Sequence, residues 1–349
     1  MSELAESTAT LRAGRALTAV AARRAAQALA AEDEPSEAKK AFLFALHEGG
    51  ETVEVVTAFA EVFRELALDP ALGEVTERAI DIVGTGGSGS SGFNVSSATA
   101  IIVAACGQPV LKHGNRAITS QSGAADFLGL LGVTVQADPA VLRACVEELD
   151  FCFFFAPAFH PAFKSIMPVR LELAAEGRRT IFNILGPLIN PARPRRQLLG
   201  VASPAWVAPL AEALTRLGVE RGVAAHCALD DGRGMDELTV AGRNLVAGIG
   251  TYDALDGEWT AQQVGLVPHP AETIRGGTPA ENVAAFRALL AGGGDPGLRE
   301  TLVLNAGVAL HLGGKVPTLE DGFAEARVAL ADGRVTDWLE RARVFFEGL

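Results

Sequence analysis

Four short stretches of this 349-residue chain hold side chains suited to binding anions or metals. The first, "DIVGTGGSGSSGFNVSSATA" at 81–100, packs five glycines and five serines between an apolar start and a helix-like end. Gly84, Gly86 and Gly89 spell G-x-G-x-x-G behind the apolar run "AIDIV", an arrangement in which backbone amides cradle a phosphate at a helix start. The second, "LKHGNRAITSQSG" at 111–123, again leads from a strand-like run towards a helix and carries Lys112, His113, Asn115, Arg116, Thr119 and Ser120. Asp236 and Glu237 in "GRGMDELTV" form the third, either a solvated surface pair or hard oxygen ligands for Mg²⁺. The fourth is Arg170 in "FKSIMPVRLELA", which taken alone reads as a helix-surface guanidinium.

The glycine loop does not suit a dinucleotide. A Rossmann site needs an acid about 20 residues on for the ribose hydroxyls. Between Asp81 and Asp126 there is no acid, whereas Lys112 and Arg116 add two positive charges to a chain of net charge −12. A Walker loop fails as well, because no Gly-Lys-Ser/Thr closes the motif. The window reads as a polyphosphate pocket, with a plain glycine turn as the alternative. Two such loops on neighbouring strands would converge on one anion.

The elements that must position these loops are legible too. Residues 1–76 read as helices only. In "ETVEVVTAFAEVFRELAL", Val53, Val56, Phe59, Phe63 and Leu66 recur at helical spacing behind a capping Thr52, and a second subunit is a candidate to cover such stripes. "PSEAKKAFLFALHEGG" is punctuated by Pro35-Ser36 and Gly49-Gly50. From Ala79 strand-like runs ("AIDIV", "QPVLKH", "DFCFFFA", "RQLLGVA", "GVAAHCAL", "NLVAGIG") alternate with helical patterns such as "SSATAIIVAAC" and "AWVAPLAEALTRLG". The fold class is therefore α/β, a small helical domain plus a larger domain with a central, mostly parallel sheet. With 49% hydrophobic residues and 38 glycines the chain suits such a fold.

The acidic balance removes the electrostatic case for nucleic acid or an anionic membrane. Cys106, Cys145, Cys152 and Cys227 show no metal-site spacing and read as buried thiols in a reducing cytosol. There is no signal-peptide pattern at the start and no apolar run long enough to span a bilayer, so the expected location is cytoplasmic.

Taken in order, "DIVGTGG…FNVSS", "KHGNRA", "FAPAFHPA", "RTIFNILGPLINPA" and "MDEL", with the helical opening "AFLFALHEGGETVEVVTAFAEVFRELA", resemble the anthranilate phosphoribosyltransferase family over nearly the whole chain. The resemblance implies transfer of phosphoribosyl from phosphoribosyl pyrophosphate to the amine of anthranilate, with two Mg²⁺ ions and release of pyrophosphate. It implies a homodimer whose contact lies on the outer face of a helical domain, 1–76 joined by 162–182. The remainder, 77–161 and 183–349, would form the α/β domain. Carried over by resemblance, Gly84, Thr85, Gly86, Gly87, Asn94, Val95, Ser96, Ser97, Lys112 and Thr119 bind phosphoribosyl pyrophosphate. Anthranilate falls to Gly84, His113, Asn115, Pro157, His160, Phe163, Arg170 and Gly186, and the metal to Ser96, Asp236 and Glu237. No acid–base residue is singled out; Lys112 and Mg²⁺ would stabilise the leaving group. For Asn94 and Ser96 the alternative is helix capping, and for His113 and His160 a structural role.

Ser88 replaces the family's usual aspartate, Gly92 a threonine, Gln121 a lysine and Leu171 a second arginine, and "HCALDDGRGMDEL" is longer than usual. These departures bear on metal affinity and on the acceptor. Other readings of the same fold are a related transferase or pyrimidine nucleoside phosphorylase acting on another acceptor, or a non-enzymatic nucleic-acid binder; Arg170 opposes a neutral pyrimidine, and the net charge opposes nucleic acid.

Overall fold

The computed structural model describes residues 2–87, 92–116, 121–135 and 138–349. Thr119 and Ser88 lie outside the described residues.

The N-terminal helices start and stop where side-chain chemistry dictates. Thr52 caps the helix Val53–Glu65, its hydroxyl accepting from the Val55 amide at 3.3 Å. Val56, Phe59 and Phe63 of the expected stripe are buried, joined by Val55 and Val62. Leu66, one residue past the last turn, is 40% exposed and does not belong to the stripe. The helix Ser36–Gly49 runs between its expected punctuation.

Eight strands among the described residues form one sheet: β1 (Ile80–Gly84), β2 (Val110–Gly114), β3 (Phe151–Phe155), β4 (Arg196–Gly200), β5 (Arg221–Ala228), β6 (Gly234–Met235), β7 (Arg243–Gly250) and β8 (Gly257–Trp259). Their order is β3-β2-β1-β4-β5-β7-β8, with β6 paired to β5. The five strands from β3 to β5 are parallel, whereas β7 and β8 pair antiparallel. The chain therefore begins mid-sheet, builds outward through β2 and β3, and returns to the other side of β1 with β4. Such a reversal opens a crevice at the carboxyl ends of the two strands, where ligands of open α/β sheets bind.

Alternation along the strands feeds two cores. Ile82, Leu198, Val223 and Ala225 pack on one face with the buried helix Pro296–Leu312. Val83, Leu199 and Ala224 pack on the other with Phe59, Phe63, Val169, Phe182 and Leu210. The N-terminal helices thus bury their stripes within the chain, against one face of the sheet. Each buried phenylalanine there contributes about 1.5–3 kcal/mol. All four cysteines are buried free thiols.

Candidate active site

The β1–β4 crevice is roofed by the loop after β6. A side-chain carbon on Gly84 would stand 2.6 Å from Asp236 Oδ2, and one on Gly200 only 1.6 Å from the Asp236 carbonyl. Glycine at both strand ends is what admits the acidic loop. Thr85 closes the crevice, its amide donating to the Gly200 carbonyl at 2.9 Å and its hydroxyl accepting from the Ala202 amide at 3.0 Å. Gly86 and Gly87 then turn in the left-handed region, at φ +71° and +77°, and the Gly86 amide donates to Asp236 Oδ2 at 2.8 Å. Arg179 holds the Gly87 carbonyl at 3.0 Å.

Asn94 stands at the start of the helix Val95–Ala105, yet its side chain does not cap it. Its Oδ1 accepts from Ser122 Oγ at 2.7 Å and from Asn282 Nδ2 at 2.8 Å. Val95 and Ser97 are buried. Ser96 Oγ accepts from Lys112 Nζ at 3.3 Å, and the same ammonium donates to the Ile82 carbonyl at 2.5 Å. Lys112 is 1% exposed; burial pushes it down to about 8, opposed by Asp81 and Glu237. Burial pushes Asp81 up to about 6, opposed by Lys112 and by hydrogen bonds from Asn190 and the His113 amide. Glu237 is held well above the carboxylate range by burial and by Asp236 beside it. Its Oε2 is buried without a hydrogen-bond partner among the described residues.

His113 follows Lys112 on β2 and so faces the opposite side of the sheet. Its Nδ1 meets the Gly186 carbonyl at 3.2 Å, which requires the proton on Nδ1 and leaves Nε2 a buried, unpartnered acceptor. The His160 ring lies 5.1 Å away, edge-on, with neither nitrogen bonded among the described residues. Burial lowers both, His113 to about 3 and His160 to about 4, so both are neutral at pH 7. Phe163 stacks on Phe63 at 5.0 Å and meets His160 at 5.4 Å. The Arg170 guanidinium lies 4.9 Å from the Phe182 ring centre and 5.9 Å from that of Phe163. Burial lowers it to about 10, and it has no ion pair with a carboxylate among the described residues. Asn115 Oδ1 accepts from the Arg116 amide at 2.8 Å, and Pro157 is exposed on the short helix Ala156–Phe159.

The expected residues therefore gather in two groups on opposite faces of β2. Gly84, Thr85, Gly86, Asn94, Ser96, Lys112, Asp236 and Glu237 form a phosphate-like side. His113, His160, Phe163, Arg170 and Gly186 form an aromatic side. Asp81, Asn190, Ser122, Arg179 and Asn282 were not expected. A cleft of about 690 Å³, lined in part by Arg64, Arg193, Arg216 and Gly250, lies at the amino ends of β4 and β5, the end of a parallel sheet away from its ligands.

No group of three or more His, Cys, Asp or Glu suited to a metal occurs among the described residues. The oxygen set of Ser96, Asp236 and Glu237, with the orphaned Glu237 Oε2, nevertheless fits Mg²⁺, which takes one or two carboxylates together with substrate phosphate.

A glycine cradle at the switch point, a buried lysine and a carboxylate pair define a phosphate-anchored group-transfer enzyme. Consistent with this, the profile of the "Glycosyl transferase family, a/b domain" matches residues 76–336. The chain is 41% identical over 341 residues to the anthranilate phosphoribosyltransferase of Chelativorans sp. (strain BNC1), covering 98% of this chain and 97% of that one. The crystal structure of the Thermus thermophilus anthranilate phosphoribosyltransferase superposes with a TM-score of 0.87 at 39% identity, covering 98% and 99% of the two chains. The Saccharomyces cerevisiae enzyme, solved with phosphoribosyl pyrophosphate and Mg, shares the fold at a TM-score of 0.83 and 23% identity, covering 99% and 98%. The chain belongs to the anthranilate phosphoribosyltransferase family.

Proposed function

We propose that this protein transfers the phosphoribosyl group of phosphoribosyl pyrophosphate to the amine of anthranilate, releasing pyrophosphate. The observation that carries the site assignment is the split across β2: Lys112 serves the glycine-loop side, and the next residue, His113, serves the aromatic side. The reaction is a substitution at an anomeric carbon with an oxocarbenium-like transition state, so the protein must align two anions and neutralise the departing one.

In this reading the amides of Gly84–Gly87 and the helix start at Asn94–Ser97 hold the sugar pyrophosphate, with Thr119 adding a hydroxyl. Lys112 supplies buried positive charge behind the leaving group. Ser96, Asp236 and Glu237 would hold Mg²⁺, as two ions, and when bound these neutralise pyrophosphate charge. Arg170 pairs with the anthranilate carboxylate. Phe163, Pro157, Asn115, Gly186 and the strand end at Gly84 shape the slot for its ring. His113 Nε2 accepts a hydrogen bond from the attacking amine. At a pKa of about 3 it orients that N–H without being a strong base. None is needed, because the amine attacks before losing its proton.

We further infer the two-domain division at 1–76 with 162–182 against the remainder. Exposed Val20 and Leu171 on the helices support a homodimer through that outer face, and four buried thiols support the cytoplasm. Among the described residues no helix is long and apolar enough to cross a membrane. Pyrophosphate release with both substrates and Mg²⁺ tests the reaction; release that does not depend on anthranilate would overturn it.

A further inference from the structure

The segment "RGGTPAEN", residues 275–282, lies far from the glycine loop in sequence and is pressed against it in space. Gly92 bridges to Arg275, and the Phe93 amide reaches the Ile274 carbonyl at 3.4 Å. A side-chain carbon on Gly276 would stand 2.1 Å from the Gly92 carbonyl, so only glycine allows the approach. Behind it Thr278 and Glu281 form a reciprocal capping box that starts the helix Pro279–Leu290 and fixes the orientation of Asn282.

Asn282 is 2% exposed and engaged at both ends of its amide. Its Oδ1 accepts from the Gly277 amide at 2.8 Å, and its Nδ2 donates to Asn94 Oδ1 at 2.8 Å. Asn94 in turn binds the second loop twice. Its Oδ1 accepts from Ser122 Oγ at 2.7 Å and its Nδ2 donates to the Ser122 carbonyl at 3.2 Å. Three segments thus meet at one oxygen: the helix start before Ser96, the end of the loop after β2, and the C-terminal half of the chain. Both lone pairs of that oxygen are used, so the orientation of the Asn94 amide is fixed.

We propose that Asn282 is a positioning residue that locks Asn94 and thereby couples the two loops of the phosphate side. This rests on assigning those loops to phosphoribosyl pyrophosphate. Asn282 touches no substrate in this scheme; it acts through Asn94. Fixing Asn94 and Ser122 against each other before the substrate arrives lowers the ordering cost of binding it.

The test uses Asn282→Ala, Asn282→Asp and Ser122→Ala in the full-length protein. Asn282→Asp keeps the acceptor for Gly277 and removes only the donor to Asn94. Asn282→Ala and Ser122→Ala control for the added charge. Hydrogen exchange at 92–97 and 121–125 should quicken in all three. The KM for phosphoribosyl pyrophosphate should rise roughly 5- to 30-fold, the equivalent of losing about 1–2 kcal/mol of buried hydrogen bonding. The KM for anthranilate should stay put. In an Asn94→Ala background Asn282→Ala should add nothing further. Unchanged exchange, an equal rise in both KM values, or full additivity with Asn94→Ala would overturn the proposal. Faster exchange with an unchanged KM would also overturn it. The loop assignment itself falls only if Gly86→Val leaves phosphoribosyl pyrophosphate binding intact.

Discussion

The Gly86 amide donates to Asp236 Oδ2 at 2.8 Å, so one contact joins the glycine loop to the acidic pair. In the proposed reading this amide would exchange the carboxylate for a substrate phosphate. The contact depends on glycine at two strand ends. Gly200→Ala would drive a methyl group into the Asp236 backbone, and Gly84→Ala into its carboxylate. Gly200→Ala should cost at least the ~1–3 kcal/mol of overpacking, because backbone cannot swing away. Gly84→Ala meets a side-chain end and should fold better, with turnover reduced. Thermal melts beside turnover would separate the two. Equal stability losses would show that the acidic loop yields as a whole.

Gly86 answers a different question. A side-chain carbon there meets nothing within 4 Å among the described residues, although φ is +71°. Gly86→Val should therefore carry only backbone strain, of order 1–2 kcal/mol, and remain folded while losing turnover. Near-normal activity in the folded variant would remove the loop from the site.

The acidic pair should govern metal use. Asp236→Asn retains an acceptor for the Gly86 amide, so the loop should stay in place, and Glu237→Gln fills the same buried space. Each should raise the Mg²⁺ concentration for half-maximal rate by more than the roughly 10-fold typical of an outer-shell partner. Titrating activity with Mg²⁺ at saturating substrates measures it. An unchanged midpoint in the double variant would move the metal elsewhere.

The strands, and the placement of the two loops between strand and helix, were readable because their signals are local. Glycine spacing, alternation and an acid-free window all lie within a few dozen residues. That Lys112 and His113 face opposite ways follows from the period of a strand. Their partners required the tertiary fold: the sheet order sets Ile82 beside Lys112, and the turn Gly186–Leu188 packs its first carbonyl on His113. Asn282 and Asn190 were illegible for the same reason, since their partners Asn94 and Asp81 lie 188 and 109 residues away. The glycine pair before the Thr278–Glu281 capping box was the one local hint. The capping alternative for Asn94 failed because two donors from distant segments claim its oxygen.

The histidine pair should leave a trace in acid stability. His160 is buried neutral at about 4, against about 6.5 when unfolded. Between those values the unfolded chain binds a proton that the folded one refuses, so stability from this group falls as pH drops through the window. His160→Gln removes that loss. Relative to the parent, the variant should gain roughly 2–3 kcal/mol between pH 6.5 and 4.5, at about 1.4 kcal/mol per unit. Denaturant unfolding at the two pH values compares them. A constant difference would mean that His160 is protonated in the folded protein.

Arg170 is where the proposed acceptor is tested. Its half-buried guanidinium lies between Phe163 and Phe182, its pKa depressed to about 10, with no carboxylate of the described chain answering its charge. Withdrawing such a charge partly from water without a partner is costly, and a ligand carboxylate would offset that cost. A charged hydrogen-bonded pair contributes ~1.5–3 kcal/mol, roughly 10- to 150-fold in binding at 1.4 kcal/mol per decade. Arg170→Gln should raise the KM for anthranilate by about that factor and leave the KM for phosphoribosyl pyrophosphate nearly unchanged. Arg170→Lys should recover only part, since an ammonium cannot form the two-pronged contact. Truncation also strips packing from Phe182, so Arg170→Met serves as the control that keeps the bulk without the charge. If Met and Arg behave alike, the aromatic ring is held by stacking and the carboxylate lies elsewhere. If both KM values rise together, Arg170 supports the packing of its helix against the N-terminal core, and the specificity for an aromatic acid must be sought at Asn115 and Gly186.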